Sequence, residues 1–101
     1  MSELYSSPQI DRAYKLIEVL AGHEFDPLTN KEIIAQTGWN GATTTRHCQA
    51  AQSAGVVEQT PDGRWRLTPR ITRIAVAVQH GIQKAKSRME DDANNLTRSP
   101  Y

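Results

Sequence analysis

The sequence predicts a mainly α-helical domain with a small β-hairpin, a winged helix-turn-helix with a three-helix core, a wing and a long C-terminal helix. Three observations predict it. Two short helical stretches flank a turn at Thr37-Gly38-Trp39. Two alternating segments, VVEQT and RWRLT, flank the turn Pro61-Asp62-Gly63. Thr68-Pro69 then opens a further helical stretch. This order presents one helix end and one hairpin tip on the same side, as a groove-reading surface needs.

The elements follow in chain order. Residues 1–7 read as an arm. Ser7-Pro8 is a serine cap with proline at the first helical position. Ile10, Ala13, Tyr14, Ile17, Leu20 and Ala21 recur at helical spacing, so residues 8–21 form an amphipathic helix ended by Gly22. Pro27 disfavours helix at Asp26, which makes the link a loop, and Leu28 adds a short extended segment. Thr29 and Glu32 form a capping box before a helix over 30–36, with Ile33, Ile34 and Ala35 facing mostly inward.

Gly38 suits a left-handed position after that helix, and Trp39 anchors the core between the two helices. Asn40 caps a third helix over 41–54, with Thr44, Cys48 and Ala51, and also His47, toward the core. Gly55 stops it. In the hairpin, Trp65 and Leu67 alternate with Arg64 and Arg66, so one face packs and the other is basic. The last helix runs from Pro69 to about Glu90. Ile71, Ala75, Val78, Ile82, Ala85 and Met89 mark a heptad seam along it. At about 22 residues it is about 33 Å long, more than a small domain needs. The expected organisation is therefore an arm (1–7), a winged helix-turn-helix domain (8–75), a projecting helix (76–90) and a disordered polar tail (91–101).

Composition narrows the function. The 101 residues allow one domain with tails. No apolar run is long enough to span a membrane, and MSELYSSPQI lacks the basic start and apolar stretch of a secretory signal. A cytoplasmic protein follows, with the nucleoid as its place if bacterial and the host cytoplasm if phage-encoded. Cys48 is the only cysteine, which rules out an internal disulfide and a zinc motif. The net charge of +1 hides a segregated pattern. Residues 33–57 carry no acid and one base, Arg46, and residues 59–89 carry seven bases against Asp62 alone. Such segregation permits one basic face on a nearly neutral molecule. There is no glycine-rich phosphate loop, no paired carboxylates in an apolar setting and no nucleophile beside a base, so no enzyme and no cofactor are expected. His47 beside Cys48 has no partner ligands at metal-binding spacing and reads as a satisfied core or boundary histidine.

Thr29 to Ala35, Gly38, Thr43 to Arg46, Gly55 to Glu58 and above all the DGRWRLTPR hairpin with its exit into a helix resemble the winged helix-turn-helix of IclR-type transcriptional regulators. The resemblance covers about residues 10–75. It implies a DNA-binding regulator, usually dimeric, with a ligand-binding domain after the wing. Here no effector domain is evident, so a stand-alone winged helix is expected, of a kind that suits a phage or mobile element. His47, Cys48 and Ala51 stand where the family usually has leucines.

The expected partner is double-stranded DNA. A recognition helix must be slim to enter a major groove about 12 Å wide. Gly41 and Ala42 allow close approach, Thr43 and Thr45 offer hydroxyls and methyls, and Arg46 suits guanine or a phosphate. Asn40 serves as cap or phosphate contact, and Asn30 and Lys31 sit at a helix start that favours phosphate. Arg64 and Arg66 of the wing face the backbone or minor groove. Val78, Ile82, Ala85 and Met89 are the expected seam of a weak homodimer. The rival reading is a protein–protein interaction module acting through that last helix, which would not need Arg46 or the wing arginines.

Overall fold

The computed structural model describes residues 3–98. Met1 and Ser2 of the expected arm and residues 99–101 of the expected tail lie outside the described residues. After a 3-10 turn at Glu3–Tyr5, the order is α1 (Pro8–Leu20), α2 (Asn30–Thr37), α3 (Gly41–Ser53), β1 (Val57–Gln59), β2 (Trp65–Leu67) and α4 (Pro69–Arg98). The strands pair antiparallel, with Glu58 opposite Arg66, and Leu28 forms an isolated bridge to Trp65. This is the winged helix-turn-helix arrangement that the order of elements predicts. The chain divides into two compact units, 1–71 and 72–101.

Caps set the helix boundaries. Ser7 Oγ accepts from the Ile10 amide, and Pro8 opens α1. Thr29 and Glu32 form the reciprocal capping box at α2. Asn40 Oδ1 accepts from the Thr43 amide at 2.7 Å and starts α3. Gly38 ends α2 with φ of 77°, a left-handed conformation that a side chain would strain. Gly55 follows α3 with φ of 81°, and a Cβ there would also strike the Arg70 guanidinium.

In the first unit, Leu16, Val19, Leu20, Leu28, Ile33, Cys48, Val57, Trp65 and Leu67 form the core. Thr44 is buried among them and its hydroxyl donates to the Asn40 carbonyl at 2.9 Å, which satisfies a polar group that burial would otherwise penalise. The expected inward face of α1 needs correction. Leu16, Val19 and Leu20 are buried and Ile17 is half-buried, whereas Ile10, Ala13, Tyr14 and Ala21 are exposed. Only the C-terminal half of α1 meets the core, so apolar periodicity in its first turns does not mark burial. Ala35 is also exposed, with Ile33 the buried residue of α2. Ile71 packs against the core, but Ala75 is exposed.

In the second unit, α4 continues to Arg98, so residues 91–98 are helical where a disordered tail was expected. The stretch DDANNLT is polar, but it holds neither glycine nor proline, and nothing in it breaks a helix already under way. Val78, Ile82 and Met89 are exposed along this helix, as is Ala85. Among the described residues, no helix is long and apolar enough to cross a membrane.

Candidate nucleic-acid interface

Helix α3 turns one face inward and leaves the other bare. Thr44 and Cys48 are buried and Ala51 is half-buried. Gly41, Ala42, Arg46, Gln49 and Ser53 are exposed. Of these, 42, 46, 49 and 53 recur at helical spacing and form one stripe without an acidic side chain. Among the described residues Arg46 has no hydrogen-bond or ion-pair partner, so its guanidinium is available. Gln49 was not among the sequence-predicted contacts. Its signal was its place one turn beyond Arg46, and a glutamine amide can make the bidentate contact that reads adenine. A Cβ at Gly41 would meet open space, and its φ is not positive. Nothing among the described residues calls for glycine there.

The other predicted residues divide. Lys31 is exposed on the first turn of α2, without an ion-pair partner among the described residues. Asn40 is used as the cap of α3. Thr43 is half-buried in the first turn of α3. Asn30 and Thr45 are tied inward. Asn30 Oδ1 accepts from the Trp65 indole at 2.7 Å, and its Nδ2 donates to Thr45 Oγ1 at 3.0 Å. One amide thus joins the start of α2, the recognition helix and the wing. Trp65 must be buried to complete the core, and Asn30 satisfies the one polar atom this burial would strand.

The wing arginines are engaged as well. Arg64 donates to Glu32 and Asp62 at 3.2 Å each, and to the Pro27 carbonyl at 3.2 Å. Thr60 closes the turn, accepting from the Arg64 amide and bonding to the Asp62 carboxylate. Arg66 pairs with Glu58 at 3.3 Å across the strands. The basic wing expected from the sequence is therefore largely neutralised. Folding brings Glu32 onto it from α2, and Glu58 of β1 meets Arg66 within the hairpin. Glu32 is held below its usual carboxylate range, chiefly by its hydrogen bonds to Thr29 and further by Arg64. Asp62 is lowered by its hydrogen bond from Thr60 and by Arg64.

His47 sits at the edge of this region. Its ring meets Trp39 edge-on, with centroids 5.3 Å apart. It borders a groove of about 220 Å³ lined mainly by apolar atoms of Ala13, Leu16, Ala50, Ala54 and Val56. Its Nε2 is buried without a hydrogen-bond partner, so the satisfied histidine expected from the sequence is not what the fold provides. Burial lowers its pKa first, and the charges of Arg12 and Arg46 lower it further. Cys48 behaves as a small core residue, its thiol pushed up to about 11 by burial. Among the described residues, no group of three His, Cys, Asp or Glu could hold a metal ion.

The model of the IclR helix-turn-helix domain matches residues 9–61. An IclR transcriptional regulator from Alicyclobacillus acidocaldarius is similar in structure, with a TM-score of 0.64, 23% identity, and coverage of 73% of this chain and 30% of that one. The Agobacterium tumefaciens repressor BlcR gives a TM-score of 0.61 at 19% identity, covering 71% of this chain and 29% of its own. This chain thus spans less than a third of the length of either protein. No curated protein matches its sequence.

Proposed function

The chain belongs to the IclR helix-turn-helix family, a family of DNA-binding transcriptional regulators, and on that premise we propose that it binds double-stranded DNA with α3 in the major groove. The observation that carries this reading is the bare stripe on α3, where Arg46 has no hydrogen-bond or ion-pair partner among the described residues. The unneeded glycine at position 41 supports it, because a slim helix start serves an external surface. In this reading Arg46 and Gln49 read bases, Ala42 and Thr43 lie against the groove wall, and Lys31 meets phosphate. Asn30, Thr45, Arg64 and Arg66 position the reading surface. The protein acts where the DNA is, in the cytoplasm or on the nucleoid.

We also propose that two copies associate through α4, since its exposed apolar side chains would otherwise stay in water. The test is binding of the full chain to random and genomic duplex DNA at increasing salt. Log affinity should fall with log salt by about 0.9 per phosphate neutralised. A flat salt dependence, or no binding at low salt, would overturn the reading.

A further inference from the structure

The length of α4 changes how its apolar face is read. Ile71, Ile74, Val78, Ile82, Ala85 and Met89 step by 3, 4, 4, 3 and 4, and Ala93 and Leu96 continue with 4 and 3. This is an 11-residue repeat, about 3.67 residues per turn. A heptad seam carried beyond Met89 would instead place Asp92 in the stripe and miss Ile74. The repeat stays within about 20° of one helix face per three turns, so a nearly straight helix presents it whole. Ile82, Met89 and Leu96 are 57%, 72% and 81% exposed, which leaves the distal stripe unpartnered within this chain.

We propose that this stripe pairs antiparallel with the same stripe of a second copy, centred on Met89. The proposal rests on the homodimer reading above and fixes its orientation. Two independent patterns give the same centre. The first is size. Reflection about Met89 sets Ile82 against Leu96 of the other copy, Ala85 against Ala93, and Met89 against itself, so large side chains meet large and small meet small. The second is charge. Lys84, Lys86 and Arg88 precede Met89, and Glu90, Asp91 and Asp92 follow it. At 100° per residue, Lys86 and Glu90 flank the stripe on one side and Arg88 and Asp92 on the other. Same-flank residues face each other in an antiparallel pair. Lys86 with Glu90 reflects about position 88, and Arg88 with Asp92 about position 90, so their mean is again Met89. A parallel, in-register pair would instead set Lys86 beside Arg88 and Glu90 beside Asp92, like charge against like. Flanking charges of this kind choose helix orientation.

Cysteine pairing tests the orientation, because a disulfide needs Cα atoms closer than about 7 Å. The chain's own Cys48 is buried and does not compete. Chains carrying Ile82→Cys and Leu96→Cys are oxidised separately and as an equimolar mixture, alongside sedimentation of the unaltered chain. The mixture should crosslink about tenfold faster than either variant alone, since only the mixture places two thiols within bonding distance. Faster crosslinking of Ile82→Cys alone would show a parallel pair, overturning the orientation but leaving the dimer. A monomer at high concentration, with no crosslinking in any sample, would overturn both.

Discussion

The recognition helix and the wing look alike in the sequence and differ in the fold. Each offers arginine on a face that alternates with the core. On α3, Arg46 stands alone among exposed Ala42, Gln49 and Ser53. On the wing, Arg64 and Arg66 are each about 40% exposed and are paired with Glu32, Asp62 and Glu58. A cation already neutralised must give up its partner before it can hold a phosphate. The difference teaches that charge along the chain does not locate a binding surface. What locates it is the charge that folding leaves unpaired. Arg46 is exposed, whereas Arg64 ties α2, the loop before it and the wing together.

The largest effect should come from the joint between the two regions. Trp65→Ala removes a buried aromatic side chain and leaves Asn30 Oδ1 without its donor. It should cost about 3–5 kcal/mol, enough to unfold a small domain in large part. Urea titration followed by circular dichroism measures this. A loss under about 1 kcal/mol would mean that the wing folds independently of the core and that the joint is weaker than its hydrogen bonds indicate.

Arg46→Ala sharpens the comparison from the other side. It should weaken binding to a specific site by about 1–3 kcal/mol and relax base preference, with the thermal midpoint unchanged. Competition binding on base-substituted sites gives the readout. Equal losses on every sequence would make Arg46 a phosphate contact and would pass the base-reading role to Gln49.

Much of this arrangement was legible in the sequence because it is local. Ser7, Thr29 and Asn40 cap with groups three residues away, and Gly38 and Gly55 end helices by their own backbone freedom. The alternation of Trp65 and Leu67 with arginine gave the buried face of β2. What escaped is non-local. Arg64 finds Glu32 across 32 residues, and Asn30 finds Trp65 across 35. No spacing rule reaches that far. Periodicity misplaces the inward face of α1 because Ile10 and Tyr14 share its helical spacing and yet stay exposed. The end of α4 departs from its polar composition because composition reports solubility, and DDANNLT holds no glycine or proline to interrupt the helix.

Arg64→Ala should act in the opposite manner to Arg46→Ala. Its ion pairs are partly exposed, so their loss should cost stability by no more than about 1 kcal/mol. DNA affinity should stay within about twofold, the change expected when no phosphate contact is lost. Thermal melts and binding on one preparation decide it. If affinity falls on all sequences while the melt is unmoved, Arg64 exchanges its carboxylates for phosphate on binding, and the contrast between the two regions fails.

The smallest effect concerns His47, which lies between the free cation and the core. Its pKa is lowered from the ordinary 6.5, first by burial and then by Arg12 and Arg46. The folded state therefore holds the neutral ring, and the unfolded chain takes up the proton more readily. Stability from this group is present above pH 6.5 and is lost as the pH falls through the lowered value. The thermal midpoint should drop slightly between pH 7 and pH 5, and His47→Gln should flatten that slope. Glu32 and Asp62 are also lowered, but their ordinary values of 4.5 and 3.8 place their titration below this window. Arg46→Ala removes one of the three causes and should move the His47 transition upward, an effect readable by NMR titration of the ring. No movement would show that Arg46 extends away from the histidine into solvent. That would leave it as free as the comparison requires, with burial and Arg12 as the remaining causes of the shift.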